Sequence, residues 1–490
     1  MSKRKKRKII NSIGKFIAVI GIITLLIFCI NLFRLNLLPI KYIIILLGIL
    51  LFIYFIMYIF ILGKKIKIPI KIFANIIILI FSLFFILGNT YLDRTISFFD
   101  RINDNLSQSE EYYLLVLKDA KYNKIEELDG EKIGFYKNES THNVKEAVET
   151  LGKKIYFEER DYDDIQNLFE AIREKEVKAI LINASIKNIM NEDYSYMINT
   201  LKEIGTLNVP IKNNDIVKIV DVTNRPFNIY LIGSDSYGDI TKTSNGDVNM
   251  VFTINPKTNQ ILLTSIPRDY YVELYNTNGG MDKLTHASYY GIETAVKTVE
   301  TLLETDINYY ARVNFSTVVK IVDLIGGIEV NSDYSFCDSG RVGCYKKGYN
   351  KLNGEQALAF ARERKSFNGG DRVRGQNQQK VIKAIIDKVT SSTALISKYS
   401  DILSAIEKSF QTNLDDKSIT KLVKLQLNKM PSWEIINQSL DGSDSSAYTY
   451  SYPKKQLYVM KPNEETIIEA QNKIKEILNA RWSKVNVGKF

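Results

Sequence analysis

Histidine and cysteine are nearly missing from this chain. Its 490 residues include two histidines, His142 and His286, and three cysteines. A Ser-His nucleophile pair therefore has almost nothing to work with. The one stretch shaped like a hydrolase elbow, Gly233-Ser-Asp-Ser-Tyr-Gly238, carries Asp235 where that motif needs serine. Cys337 and Cys344 sit close together in a Gly-rich loop, with no second cysteine pair to complete a zinc site. Outside the cytosol such a pair is expected to form a local disulfide, worth roughly 2 to 3 kcal/mol by loop entropy.

Acidic residues are absent from residues 1–92, which hold 13 Lys and Arg. Beyond them 52 basic residues face 55 acidic ones, so the formal charge of +10 belongs to the N-terminus alone. That segment contains three uncharged apolar runs, Phe16–Phe33, Tyr42–Gly63 and Ile72–Leu92. Each is about the ~20 residues a helix needs to cross a hydrocarbon core. Eleven of the 13 cations lie in the leader with Lys15, or at Lys64, Lys65, Lys67 and Lys71, against Arg34 and Lys41 between the first two runs. The positive-inside rule then puts the leader and second loop in the cytoplasm and everything after about Leu92 outside. The cytoplasmic part is too small for a DNA-reading fold, and no nucleic-acid partner is expected.

From Glu111 to about Ile219, short apolar runs alternate with amphipathic ones. Tyr112–Lys118, Lys132–Tyr136, Lys154–Phe157 and Val177–Ile182 read as strands, and Asn143–Leu151 and Asp161–Lys175 as helices. The alternation predicts a small α/β domain with parallel strands. It carries no catalytic constellation and reads as a spacer or partner-binding module.

A new strand opens at Phe227–Ile232 and runs into Asp235. Asp247 precedes a second strand, Val248–Ile254, and Arg268-Asp269 follows a third, Gln260–Ile266. Strand ends are where α/β sheets present chemistry. If like ends lie together, two carboxylates and an arginine converge, a set suited to a Mg2+ ion bridging phosphate oxygens. The spacing also allows Asp235 to be a turn residue or helix cap. His286 reads as a hydrogen-bonded structural histidine. Farther on, Arg362, Arg364, Lys365, Arg372 and Arg374 crowd around Glu363, Asp371 and two glycines. Arginine forks grip phosphate oxygens two at a time, although the same run alone is compatible with a solvated loop. Helices at Leu395–Lys408 and Lys417–Asn428, a loop near Gln438–Ser446, strands at Tyr448–Tyr452 and Leu457–Met460, and a helix at Glu464–Trp482 complete the chain.

The ordered segments NIYLIGSDS, GDVNMVFTINPKTNQILLTSIPRD, DKLTHAS, NYYARVNF, LIGGIEV, LNGEQALAFARER and GDRVRGQNQQKVI resemble the LytR-CpsA-Psr family, particularly its CpsA-like capsule branch. The likeness implies a basic tail (1–15), a three-helix membrane anchor (16–92), an extracellular α/β accessory domain (93–222), and an α/β/α catalytic domain with a mixed central sheet and a C-terminal helical extension (223–490). It further implies a Mg2+- or Mn2+-assisted phosphotransferase moving a glycopolymer from an undecaprenyl pyrophosphate carrier to peptidoglycan. By resemblance, Asp235 and Asp247 associate with the metal. Arg268, Arg362, Arg364 and Arg374 clamp pyrophosphate, Lys283 and Gln378 assist, and Asp371 is a candidate base. Expected partners are the lipid-linked glycan, peptidoglycan, the lipid membrane and the capsule-synthesis machinery. Ser244-Asn245-Gly246 and Asn377 depart from arginines common in the family, which implies a less charged clamp. A carrier-binding regulator of capsule synthesis and a polyprenyl-pyrophosphate phosphatase are the competing readings.

Overall fold

The computed structural model describes residues 3–35, 40–63, 65–104, 109–136, 141–183, 186–187, 190, 195–210, 218–235, 246–391 and 398–481. Ser244 and Asn245 lie outside them, as do residues 395–397 and Trp482. The chain forms two compact units.

The first unit holds the helices α1 (Lys3–Leu35), α2 (Ile40–Leu62) and α3 (Ile68–Asp104), together with residues 390–404 and 416–431. All three helices are long and apolar enough to cross a membrane. Their apolar side chains point mostly outward, with Phe16 68% exposed and Leu87 63% exposed, a pattern that water would not tolerate. A narrower seam is buried, including Leu25, Tyr54, Ile78 and Phe85. Lys71 lies within α3 rather than in the loop before it. Its ammonium is buried and donates to Asn11 Oδ1 and to the Ile61 carbonyl, both at 2.7 Å. It thereby satisfies one of the carbonyls that the end of α2 leaves open.

The second unit contains two sheets. The smaller has the order β3-β2-β4-β1-β5, built from β1 (Ser109–Leu117), β2 (Lys132–Tyr136), β3 (Glu158–Tyr162), β4 (Ala179–Asn183) and β5 (Leu201–Pro210). Helices α4 (Thr141–Gly152) and α5 (Ile165–Arg173) accompany it, α5 capped by the Asp164 side chain. Three features correct the sequence reading. Only β2, β3 and β4 are parallel, while β1 pairs antiparallel with both neighbours. The third strand lies at Glu158–Tyr162 rather than at Lys154–Phe157: Ile155 and Phe157 serve the core from the approach, and the edge strand itself is charged, which blocks further pairing. β5 escaped notice because Gly205 and polar residues interrupt its apolar pattern, the glycine being where a Cβ would meet Ile125.

The larger sheet is mixed and has the order β16-β11-β6-β7-β8-β17. Its strands are β6 (Phe227–Ser234), β7 (Val248–Asn255), β8 (Gln260–Ile266), β11 (Tyr309–Asn314), β16 (Phe410–Thr412) and β17 (Glu434–Ser439). The small pairs β9 (Tyr271–Glu273) with β10 (Met281–Lys283), β12 (Ile328–Ser332) with β15 (Gly348–Leu352), and β13 (Phe336–Cys337) with β14 (Cys344–Tyr345) lie outside it. So does a hairpin of β18 (Gly442–Thr449) and β19 (Tyr452–Pro462). The loop expected at Gln438–Ser446 is therefore largely strand, hidden by its serines and aspartates. Cys337 and Cys344 are joined as a disulfide.

Helices α6 (Ile292–Leu303), α7 (Phe315–Leu324), α8 (Gly354–Arg362), α9 (Asp371–Ser391), α10 (Tyr399–Ile406), α11 (Asp416–Lys429) and α12 (Glu464–Asn479) complete the chain. Capping boxes start α7 at Asn314 with Thr317 and α8 at Asn353 with Gln356. A Cβ at Gly354 would collide with the Val319 backbone, so glycine lets α7 and α8 approach closely. Gln379 fixes α9 across two strands, donating to the Leu263 carbonyl at 3.1 Å and the Gln438 carbonyl at 2.6 Å.

Burial differs between the two faces of this sheet. On one, Tyr230, Ile232, Val251, Leu262, Ile266 and Tyr310 belong to a fully buried core. On the other, Phe227, Tyr309, Met250, Ile261 and Leu263 are buried, and Leu231, Phe252, Ile254, Ile382 and Ile386 pack there half-buried.

Candidate active site

Strand register brings the sequence-predicted acids to one edge. β6 and β7 are antiparallel with Gly233 opposite Val248, and β7 and β8 are antiparallel with Asn249 opposite Ile266. The end of β6, the start of β7 and the end of β8 thus coincide, and with them Asp235, Asp247 and Arg268. β11 runs parallel to β6 with Asn314 opposite Ser234, and β17 parallel to β8 with Ser439 opposite Ser265. Phe315 and Asp441 reach the same edge. α8 ends there at Arg362, whose guanidinium lies 4.2 Å from the Phe315 ring centroid. Across the loop, α9 presents Asp371, Arg374 and Gln378, spaced for one helix face.

The charges form a connected set. Arg268 Nη1 donates to Asp247 Oδ1 at 2.6 Å, and its Nε lies 3.4 Å from Asp269 Oδ2. Lys283 Nζ is 2.9 Å from Asp269 Oδ1. Lys283 is thus held through Asp269, which links it to Arg268, and it is not among the residues lining the cavity described below. Arg374 Nη2 is 2.6 Å from Asp371 Oδ1. Arg362 and Arg364 are exposed and have no carboxylate within ion-pair distance among the described residues. Lys365 is exposed as well, whereas Arg372 pairs with Asp441 and donates to the Gly442 carbonyl.

Burial raises the Asp235 carboxyl above the ordinary range, and the hydrogen-bonded Asp247 carboxylate raises it further against the fields of Arg362 and Arg268. Two acids held this way need a proton or a cation between them. Burial works against the Arg268 charge, but Asp247 and Asp269 outweigh it and hold its pKa up. Burial and the neighbouring Arg268 and Arg364 depress that of Arg374 against the pull of Asp371, without discharging an arginine. Arg268 Nε, Arg374 Nε and Asn377 Nδ2 are buried without a hydrogen-bond acceptor. Such donors suit an anion with many oxygens.

A solvent-open cavity of about 180 Å³ lies against this set. Asp247, Arg268, Asp371, Arg372, Arg374 and Gln378 line it, together with Ser265, Gln376, Ser439, Leu440, Asp441 and Met460. Asp235, Arg362 and Arg364 stand outside that wall. Among the described residues no group of three or more His, Cys, Asp and Glu could hold a metal alone. Mg2+ is commonly bound by one or two carboxylates plus substrate phosphates, and the Asp235–Asp247 pair fits that requirement.

Sequence reasoning passed over Glu363, which braces the arginine loop. Its carboxylate accepts from Ser339 N at 2.6 Å and Ser366 N at 2.9 Å, and the Ser366 hydroxyl donates to the Cys337 carbonyl at 3.0 Å. The disulfide hairpin is thereby stapled behind Arg362 and Arg364. Burial pushes the Glu363 pKa up, but the amides of Ser339 and Ser366 overcome it and bring the carboxyl down to about 2. A depressed acid stabilises the fold above its ordinary range near 4.5, and that contribution is lost as pH falls toward about 2. Glu363→Gln is expected to cost about 1.5–3 kcal/mol at pH 7. The gap from the native chain should close as pH falls through that window, as measured by denaturant unfolding at both ends of it.

Paired acids and convergent arginines at one edge of a mixed sheet are a set suited to binding phosphate oxygens. The chain belongs to the LytR-CpsA-Psr family, whose model matches residues 194–466. It is 36% identical over 260 residues to the polyisoprenyl-teichoic acid–peptidoglycan teichoic acid transferase TagU of Bacillus cereus (strain AH820), covering 53% of this chain and 84% of that protein. To the protein of the same name from Enterococcus faecalis (strain ATCC 700802 / V583) it is 33% identical over 267 residues, covering 54% and 83%. Solved structures similar to it include B. subtilis TagU, at 30% identity and a TM-score of 0.41 over 53% of this chain and 100% of the other. TagT bound to LIIa-WTA matches at 27% identity and a TM-score of 0.44 over 54% and 95%.

Proposed function

We propose that this chain is a membrane-anchored phosphotransferase that attaches a glycopolymer, carried on a polyprenyl pyrophosphate such as undecaprenyl pyrophosphate, to peptidoglycan on the outer face of the membrane. The observation that carries this reading is the convergence of Asp235, Asp247, Arg268, Arg362, Arg364 and Arg374 at one sheet edge, with Arg362 and Arg364 outside any ion pair among the described residues. The transferase relatives support the reaction class. The half-covered apolar face around Leu231, Phe252, Ile254, Ile382 and Ile386 offers a lining for the polyprenyl chain, and the three apolar helices keep the site near the carrier.

Arg268 and Arg374, with exposed Arg362 and Arg364, would bind the pyrophosphate and neutralise the charge that spreads over its oxygens in the transition state. An acceptor hydroxyl attacks the phosphorus that bears the glycan. The new O–P bond forms as the bridging P–O bond breaks, and polyprenyl monophosphate leaves with the electron pair. Asp371, on the cavity wall, is placed to take the hydroxyl proton. Asp235 and Asp247 would hold Mg2+ or Mn2+, which when bound supplies further charge neutralisation. A capsular polysaccharide or a teichoic-acid-like polymer would each serve as the glycan, and capsule-synthesis proteins would be its source in the former case.

The test is transfer of lipid-linked glycan to peptidoglycan by the purified full chain in nanodiscs with Mg2+. A covalent glycan–peptidoglycan product is expected. Release of free glycan phosphate alone would convert the reading to a pyrophosphatase, and binding without any product would make the protein a carrier-binding regulator. A reporter fused after Leu92 should be active only outside the cytoplasm, and cytoplasmic activity would defeat the topology.

A further inference from the structure

The cavity beside the arginines has a second wall that phosphate binding does not use. Ser265, Gln376, Ser439 and Leu440 bring hydroxyl, amide and apolar groups there, and Met460 of β19 closes it. Met460 belongs to a hairpin face that continues out of the cavity. Side chains two apart on a strand share a face, so Tyr458 stands beside Met460, and cross-strand pairing sets Asp444 opposite Met460, Ser446 opposite Tyr458 and Tyr448 opposite Gln456. The face therefore runs from the cavity as Met460, Asp444, Tyr458, Ser446, Gln456 and Tyr448.

Its two tyrosines are exposed, Tyr448 by 54% and Tyr458 by 45%, too much for core residues. Tyr458 is nevertheless fixed in place, since its hydroxyl donates to Asp444 Oδ1 at 2.8 Å and Lys283 Nζ lies 6.0 Å from its ring centroid. Lys283 also reaches Asp269 and through it Arg268, so this platform is tied to the clamp. Oriented exposed rings offer electron-rich faces to the C–H faces of a pyranose, and neighbouring amide, hydroxyl and carboxylate groups match its hydroxyls.

We infer that the β18–β19 face and the adjoining cavity wall of Ser265, Gln376 and Ser439 form the subsite for the acceptor, a peptidoglycan strand of alternating N-acetylated amino sugars. This rests on the transferase reading of the site. The acceptor is chosen because Arg372, the arginine on that side, is held by Asp441 and Asp444 and so leaves the approach to an uncharged hydroxyl, because Asp371 lines the same cavity and can receive its proton, and because a polymer arriving from solvent needs an open track leading inward.

The test uses the full chain in nanodiscs and a soluble tetrasaccharide of alternating N-acetylglucosamine and N-acetylmuramic acid. Tyr448→Ala with Tyr458→Ala is expected to raise the acceptor KM about 10-fold, with kcat within about twofold and donor KM unchanged. The paired phenylalanine variants should retain most of the affinity. Saturation-transfer NMR without donor should show the same loss of tetrasaccharide binding in the alanine variant. An unchanged acceptor KM, a rise in donor KM in its place, or no tetrasaccharide binding by the native chain would each overturn the inference. Tyrosine-dependent binding by a native chain that forms no transfer product would uphold the subsite and defeat the transferase reading.

Discussion

Replacing Arg268 with alanine is expected to lower transfer at least ~10³-fold, the scale of loss when an arginine that neutralises a phosphoryl-transfer transition state is removed. Arg268 occupies the centre of the charged set, donating to Asp247 at 2.6 Å, lying 3.4 Å from Asp269, and keeping a buried Nε without an acceptor. Its removal withdraws a phosphate fork and also leaves Asp247 beside Asp235 with less positive charge to offset them. The Asp235 carboxyl, already raised by burial and by Asp247, then rises further, because the Arg268 field that opposes the shift is gone. Arg268→Lys separates the two effects. It keeps a charge near Asp247 but loses the planar fork, so it should restore folding more fully than turnover. Product yield and denaturant midpoint measured on the same preparations decide the matter. Equal yields from native chain and Arg268→Ala would remove Arg268 from the clamp.

Much of this site could be read before any fold was known because its residues sit at strand ends. Asp235, Asp247 and Arg268 are punctuation after or before strongly apolar strands, and antiparallel pairing of β6 with β7 and β7 with β8 then brings them together without further information. Asp371, Arg374 and Gln378 share a helix face because the helix begins at Asp371, ahead of where the apolar spacing starts. The partners that set their state were harder to see. Glu363 looked like one more charge in a charged run, and only the fold brings the Ser339 amide to it from 24 residues away. Lys283 and Asp269 meet through pairing of the three-residue strands β9 and β10, too short to leave a periodic signal. Leu457–Met460 was legible as strand, but its partner arm β18 opens on serines and an aspartate, so Gly442–Ser446 reads as loop. The half-covered sheet face was invisible for a related reason: Leu231 or Phe252 is written the same way whether it meets a neighbour across a core or lines a channel.

Asp247→Asn is expected to reduce transfer at least ~10²-fold and to reveal the coupling of the acid pair directly. In the native chain Asp235 takes up a proton more readily than an ordinary aspartate, with desolvation the leading cause and Asp247 the next. A raised acid binds protons better in the folded than in the unfolded state. Its contribution therefore favours folding below the ordinary aspartate range and is lost as pH rises through the folded pKa. An amide at position 247 carries no charge and can donate to Asp235, so the Asp235 pKa should fall. Burial will keep it from returning fully to the ordinary range, and the pH-dependent loss of stability should shrink. Carboxyl NMR of Asp235 follows that titration, and calorimetric titration with Mg2+ in the presence of inorganic pyrophosphate reads the second consequence, weaker cation binding. The amide also deprives Arg268 of its 2.6 Å charged partner, freeing that guanidinium toward the phosphate. Pyrophosphate affinity without metal should thus hold or rise while turnover collapses. Undiminished turnover with unchanged Mg2+ binding would refute the assignment of the metal to the Asp235–Asp247 pair and leave phosphate neutralisation to the arginines alone.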